Sequence, residues 1–293
     1  MKTDIEIIKD LFYAKKYDAV LTQLDLLTSA EMNRMKDEWG YALSSHLSVD
    51  SENHLGCERF DAFIQQVIRK GLIFKSAYDG VPDIQTIYRG LSLESIDLIL
   101  KSGVRIQGRK PLFWDALSWQ QPKDRLYDLA KLSEQYGYEF NEDIASELLL
   151  RLCRQYNGYL SNAERLEQFE NNFKFVEFLI GQGADVNHAA GGDKMTTLIN
   201  AAFNNNHHMV AFLLNAGADP NLLNKKGYSA LMFASGQVIM NMRHHPCDHC
   251  LKSMQLLLDK GADLHVKVGH RTALSIAKKS ENLKGVALLE QFL

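Results

Sequence analysis

This sequence is poor in the features that would point to chemistry. Four Cys among 293 residues do not make a disulfide framework. No apolar run approaches the roughly 20 residues of a membrane-spanning helix. The opening Met1-Lys-Thr-Asp-Ile-Glu sets acids where a secretory leader needs an apolar stretch, so a soluble, cytoplasmic protein is expected. A formal net charge of −3 gives no electrostatic reason for nucleic-acid binding. Nucleophilic catalysis finds no support: there is no Gly-x-Ser-x-Gly, no Gly-rich phosphate loop and no His-Glu-x-x-His. Carboxylates are abundant, but none are paired by position as acid and base. The hydrophobic content of 46% and the aromatic content of 10% are ample for a continuous core.

What is present is a recurring junction. Gly-Ala-Asp-Val-Asn at 183–187 is echoed by Gly-Ala-Asp-Pro-Asn at 217–221 and Gly-Ala-Asp-Leu-His at 261–265. Each follows an apolar run: Phe178-Leu179-Ile180, Phe212-Leu213-Leu214 and Leu256-Leu257-Leu258. Such a junction ends a helix at a Gly able to take the left-handed conformation, then leaves in a tight turn shaped by Asp and Asn. Gly183 and Gly217 are 34 residues apart, the kind of period that marks stacked supersecondary units.

The residues between the junctions sharpen this. Lys194-Met-Thr-Thr-Leu-Ile-Asn-Ala-Ala, Asn206-His207 and Met209-Val210-Ala-Phe-Leu-Leu precede Gly217 in order, and Gly227, Ser229-Ala230-Leu231 with Ala234, then Thr272-Ala273-Leu274 with Ala277, repeat parts of the same series. This resembles the ankyrin-repeat family, with Lys194, Thr197, Ile199 and Asn206 as departures from its pattern. The resemblance implies an all-α, ankyrin-type α-solenoid of helix–turn–helix units with short β-hairpin loops. It also implies protein binding rather than catalysis.

Taken in order, residues 1–72 read as a helical N-terminal capping segment and 73–293 as ankyrin-like repeats, about six in all, degenerate over 73–182 and clear over 183–293. Thr3 with Glu6 has capping-box spacing, Ile5, Ile8, Leu11 and Phe12 form one helical face, and Val20, Leu21, Leu24 and Leu27 form a second after a turn at Lys15-Lys16-Tyr17-Asp18. A helix carrying Met32, Met35, Trp39 and Leu43 follows, and then one carrying Phe60, Phe63, Ile64, Val67 and Ile68. Gly103 and Gly137 are again 34 apart, which extends the repeat forward, although an unrelated helical domain would also fit that stretch. Two spacings exceed the period: Gly137 to Gly183 is 46 residues and Gly217 to Gly261 is 44. The surplus falls between first and second helices, near 156–170 and 237–250, where it either projects toward a partner or merely lengthens helices. Lys278, Lys279, Lys284 and Glu290 give the last unit a polar outer face suited to a terminal capping repeat.

Several side chains could carry function. The resemblance places Arg109, Trp119, Met195, Phe203, Asn204, Lys225, Lys226, Tyr228, Arg271 and Lys279 on the concave, partner-binding surface, where aromatics and Arg are the usual anchors. No cofactor is required. A structural zinc is an open alternative, with Cys247, Cys250, His244 and His208 as donors from a Cys-x-x-Cys and two imidazoles. Polar-loop residues with incidental thiols would look the same. His46, His54 and Cys57 are the only titratable cluster that an N-terminal helical enzyme domain could use, and Cys153 reads as a buried helix face.

The expected function is therefore non-catalytic recognition of a protein by a monomer, with no membrane or nucleic-acid partner. Residues 183–293 carry 11 Lys/Arg against 8 Asp/Glu, and residues 1–182 carry 22 against 28. That acidic front would suit a cationic toxin or effector, as in an immunity protein of the stand-alone bacterial ankyrin type. An adaptor or host-directed effector scaffold is the competing role.

Overall fold

The computed structural model describes residues 4–14, 16–28, 30–31, 58–70, 92–101, 126–154, 173–236 and 248–293. They form two compact units, Met1–Ala116 with Asp128–Glu139, and Leu117–Tyr127 with Phe140–Leu293. Among the described residues no helix is long and apolar enough to cross a membrane. The expected capping residue Thr3, the helix around Trp39, and Gly103 lie outside these residues.

The first unit is a helical stack: α1 (Asp4–Tyr13), α2 (Tyr17–Leu26), α3 (Glu58–Arg69) and α4 (Leu93–Lys101), each packed on the next. Ile8 and Phe12 of α1, Val20 and Leu24 of α2, Phe63, Ile64 and Val67 of α3, and Ile96 and Ile99 of α4 are buried between them. These are the helically spaced positions, and each large side chain removed from water contributes ~1.5–3 kcal/mol. Tyr17, read as part of a turn, opens α2 and is buried with its ring 4.9 Å from Phe63 and 6.2 Å from Phe12. The apolar body of a Tyr at a helix start is large enough to join the core, which local polarity around it conceals.

Two polar networks order this unit. Asp61 of α3 accepts hydrogen bonds from Ser92 N–H at 2.8 Å, Ser92 Oγ at 2.7 Å and Gln65 Nε2 at 3.1 Å, while Ser92 Oγ accepts from Ser95 N–H at the start of α4. A carboxylate thus fixes the capping residue of the next helix. Burial pushes the Asp61 carboxyl upward, but the donors around it outweigh that and hold it below the ordinary carboxylate range. Asp97 accepts from Lys101 and, at 2.6 Å, from the Tyr136 hydroxyl, which lowers its pKa. Burial and then that carboxylate push Tyr136 up to about 12.

Helix α5 (Leu126–Gln135) ends as the sequence leads one to expect. Gly137 has φ +82°, its N–H bonds to the Glu134 carbonyl and the Tyr138 N–H to that of Ser133. Burial of Tyr138 pushes its pKa up to about 12.

The second unit is a set of stacked helix pairs. Helix α6 (Glu142–Arg154) is followed by α7 (173–181), the hairpin β1 (Ala189–Ala190) and β2 (Met195–Thr196), α8 (Thr197–Phe203), α9 (His207–Asn215), α10 (Ala230–Ser235), α11 (Asp248–Asp259), α12 (Ala273–Lys279) and α13 (Leu283–Glu290). First helices α6, α8, α10 and α12 pack in sequence on one layer, and second helices α9, α11 and α13 on another. The β1–β2 register pairs Ala189 with Thr196 and Ala190 with Met195, and single bridges Leu223–Ser229 and Val268–Arg271 stand at the equivalent places in the next two repeats.

Local chemistry explains this regularity. Thr196, Ser229 and Thr272 cap the first helices, accepting from the N–H of Ile199, Met232 and Ser275, and Asn206 and Asn282 cap second helices. Gly183, Gly217 and Gly261 take φ of +89°, +96° and +81°, which L side chains rarely adopt. The following Asp accepts the N–H two residues on: Asp185 from Asn187, Asp219 from Asn221, Asp263 from His265. The Asn then reaches across to the next repeat. Asn187 Oδ1 accepts the Asp219 N–H at 2.9 Å, and Asn221 Oδ1 accepts the Asp263 N–H at 2.7 Å. Each motif closes its own turn, and the first two also register the repeat that follows.

Of the two stretches expected to hold the surplus, 156–170 and residues 237–247 of the other lie outside the described residues. Helix α6 runs to Arg154, α10 runs to Ser235, and α11 starts at Asp248. Asp248 to Cys250, expected within the second surplus stretch 237–250, belong instead to α11. Cys250 is buried and its thiol donates to Asn205 Oδ1 at 3.2 Å, so packing against the preceding repeat carries the helix further back than its polar N-terminal residues suggest.

Candidate functional site

The hairpins of the second unit touch one another in order. Lys225 N–H donates to the Asp193 carbonyl at 2.8 Å, and Lys226 Nζ sits 2.9 Å from Asp193 Oδ2, linking the first tip to the second. Arg271 Nη1 donates to the Tyr228 hydroxyl at 3.0 Å, linking the second to the third. At the other side Arg154, at the end of α6, donates to the Ala190 carbonyl at 2.6 Å, and His188 Nε2 stands 3.7 Å from Glu147 Oε2. Hairpins and first helices thus form one continuous row.

At its centre is an aromatic cluster. Phe233 of α10 is buried, Phe203 at the end of α8 meets it edge-on at 5.7 Å and 89°, and Tyr228 lies 6.0 Å from it on the other side. Phe203 and Tyr228 stay half-exposed. The edge-on contact of Phe203 and the tilted contact of Tyr228 on the same buried ring hold both in place. The Tyr228 N–H also donates to Asn224 Oδ1 at 3.0 Å, fixing the backbone beneath it.

Eight of the ten residues expected to bind a partner can be placed. Met195 is half-buried in β2; Phe203, Lys225, Lys226, Tyr228 and Arg271 share the row described above; Lys279 is exposed at the end of α12. Asn204, just after α8, turns inward: Nδ2 donates to the Cys153 carbonyl at 2.8 Å, while its buried Oδ1 has no hydrogen-bond partner. Its visible role is to tie α8 to the end of α6. Arg109 and Trp119 lie outside the described residues. Sequence reasoning missed Phe233, Asp193 and Arg154. Phe233 stands in a stretch that reads as plain core, and only its two neighbours across the stack reveal it as a support.

Of the residues considered for zinc, Cys247 and His244 lie outside the described residues. His208 stacks on His207 with ring centroids 3.9 Å apart, and Cys250 bonds to Asn205. Among the described residues no three His, Cys, Asp or Glu side chains gather as metal donors. Cys153 is buried in α6 as expected, and burial pushes its thiol up to about 12, far from a reactive thiolate. His46, His54 and Cys57 are outside the described residues.

Comparison with known families agrees with this geometry. The family model for ankyrin repeats, in three copies, matches residues 166–267, and an ankyrin-repeat domain is present there. The match spans α7 to α11 and the first two hairpins, and ends at Lys267 just before the Val268–Arg271 bridge. A repeat domain of this type supports a non-enzymatic scaffold. No curated protein matches the chain.

Proposed function

From an ankyrin-repeat domain at residues 166–267, we propose that the protein is a cytoplasmic, non-catalytic recognition module that binds one protein partner on its hairpin and first-helix row. The observation that carries this is the Phe203–Phe233–Tyr228–Arg271 cluster, in which a buried ring and a hydrogen bond immobilise two half-exposed aromatics and an Arg. Binding costs are lowest where side chains are ordered beforehand, and aromatics with Arg dominate interface energetics. Residues 156–170 and 237–250, the surplus over the repeat period in the sequence, would add reach.

The sharper form of this reading is an immunity protein that occludes a toxin. What supports it is the surplus of acids over residues 1–182, 28 against 22 cations, which would steer a cationic toxin. An adaptor or host-directed effector would instead engage two partners at once. Affinity capture of the intact chain from its own cells, beside a Phe203→Ala/Tyr228→Ala variant, tests the proposal. A single stoichiometric partner lost from the variant, with its helical circular dichroism retained, is the expected result. A partner kept undiminished by the variant would refute the assigned surface, and a partner that is not toxic would refute the immunity form.

A further inference from the structure

The three hairpins carry charge of almost one sign. Residues 188–195, 222–228 and 265–271 contain Lys194, Lys225, Lys226, Lys267 and Arg271 against a single carboxylate, Asp193. That carboxylate is already met by Lys226. Lys194, Lys225, Lys226 and Lys267 are exposed, and His188, His265 and His270 lie among them. The second-helix layer differs: α7, α9, α11 and α13 hold Lys174, Lys252 and Lys284 against Glu177, Asp248, Asp259 and Glu290. The cationic excess is therefore confined to the row that also presents Phe203 and Tyr228.

We infer that this row docks an acidic segment of a partner protein, its carboxylates spaced along the hairpin tips and an apolar side chain seated on Phe203 and Tyr228. The inference rests on the proposed binding row, not on its cationic-toxin form, and adds the chemistry of what fills that row. A continuous phosphate backbone fits less well. Asp185, Asp219 and Asp263 are exposed at the bases of the same hairpins, where each accepts a backbone N–H. A polyphosphate would lie across these anions. A peptide can place carboxylates at the tips and neutral residues between them. Such rim charges act mainly on encounter rate and partner choice, and exposed pairs are individually weak, so several must act together.

The test uses the full chain and fluorescein-labelled peptides of alternating Glu and Leu, with the Gln–Leu counterpart and a single-stranded oligonucleotide as comparisons. Anisotropy should show the Glu–Leu peptide binding and losing at least tenfold in affinity between ~0.1 M and ~1 M salt, as the Debye length shrinks from ~10 Å to ~3 Å. Lys225→Glu/Lys267→Glu should weaken it roughly tenfold, while Lys252→Glu/Lys284→Glu on the second helices leaves it unchanged. All four lysines are exposed, so neither change disturbs the core. Equal binding of the Gln peptide, equal loss in the second-helix pair, or tighter binding of the oligonucleotide would each overturn the inference. If the natural partner is lost with Phe203→Ala/Tyr228→Ala but kept by Lys225→Glu/Lys267→Glu, the row binds a partner without acid recognition. That outcome would sink this inference and leave the proposed function standing.

Discussion

Asn282 offers a sharp test of how the repeats hold together. It is 5% exposed, between α12 and α13. Its Oδ1 accepts the Gly285 N–H at 3.0 Å, capping α13. Its Nδ2 donates to the Ser235 carbonyl at 3.3 Å, at the end of α10 one repeat earlier, and lies 3.8 Å from Met254 Sδ in α11. Asn282→Ala removes the cap, about 1 kcal/mol. It also strips a hydrogen bond from a buried carbonyl, for about 1–3 kcal/mol more. A loss of roughly 2–4 kcal/mol is expected. Asn206→Ala is the matched control: its Oδ1 caps α9 through the Met209 N–H at 3.0 Å, and the same truncation should cost about 1 kcal/mol. Asn282→Asp keeps the cap oxygen but turns an anion toward the Ser235 carbonyl, so it should be no better than Ala. Urea unfolding followed by far-ultraviolet circular dichroism measures all three, with the m-value checking that the last repeat has not uncoupled from the rest. Equal losses for Asn282→Ala and Asn206→Ala would show that the contact across repeats contributes nothing.

Gly236→Ala should destabilise by about 2 kcal/mol or more, because φ is +155° and a Cβ there would stand 2.6 Å from Ser280 Cβ. Adding Ser280→Gly should recover only part of this in the same unfolding assay, and full recovery would refute the backbone contribution. Cys153 should resist iodoacetamide in the native protein near pH 8 and react in urea, since burial keeps its thiol protonated up to about 12; equal labelling in both states, read by mass spectrometry, would contradict its burial. Asp61, with its folded pKa held below 3.8, contributes stability that is present above that value and lost as pH falls through the folded pKa. Asp61→Asn should therefore be less stable than the parent at neutral pH, and the gap should close in acid; a gap that persists unchanged would rule this linkage out.

Much of the second unit was legible in the residues because its rules are local. A Gly that takes positive φ, an Asp that accepts the N–H two residues on, and a Thr or Ser that accepts the N–H three residues on act within one turn of chain. Gly137 could be read the same way with little else of the motif around it. The family resemblance carried Phe203, Tyr228 and Arg271 to the proposed binding row. It also carried Asn204 there, where the structure instead shows a tie to the Cys153 carbonyl.

What only the tertiary structure decided are contacts between residues far apart in the chain. Asn282 with Ser235 spans 47 residues, Asn204 with Cys153 spans 51, and Lys226 with Asp193 spans 33. Tyr17 looked like a turn residue until Phe63 was packed against it, and Phe233 looked like anonymous core until Phe203 and Tyr228 flanked it. The gathering of five cations along three hairpins was equally hidden, since they are scattered from Lys194 to Arg271 in the chain. Turns and caps depend on the backbone within a few residues, so the sequence determines them directly. Which side chains share a surface depends on how successive repeats stack, and that register exists only in the folded molecule.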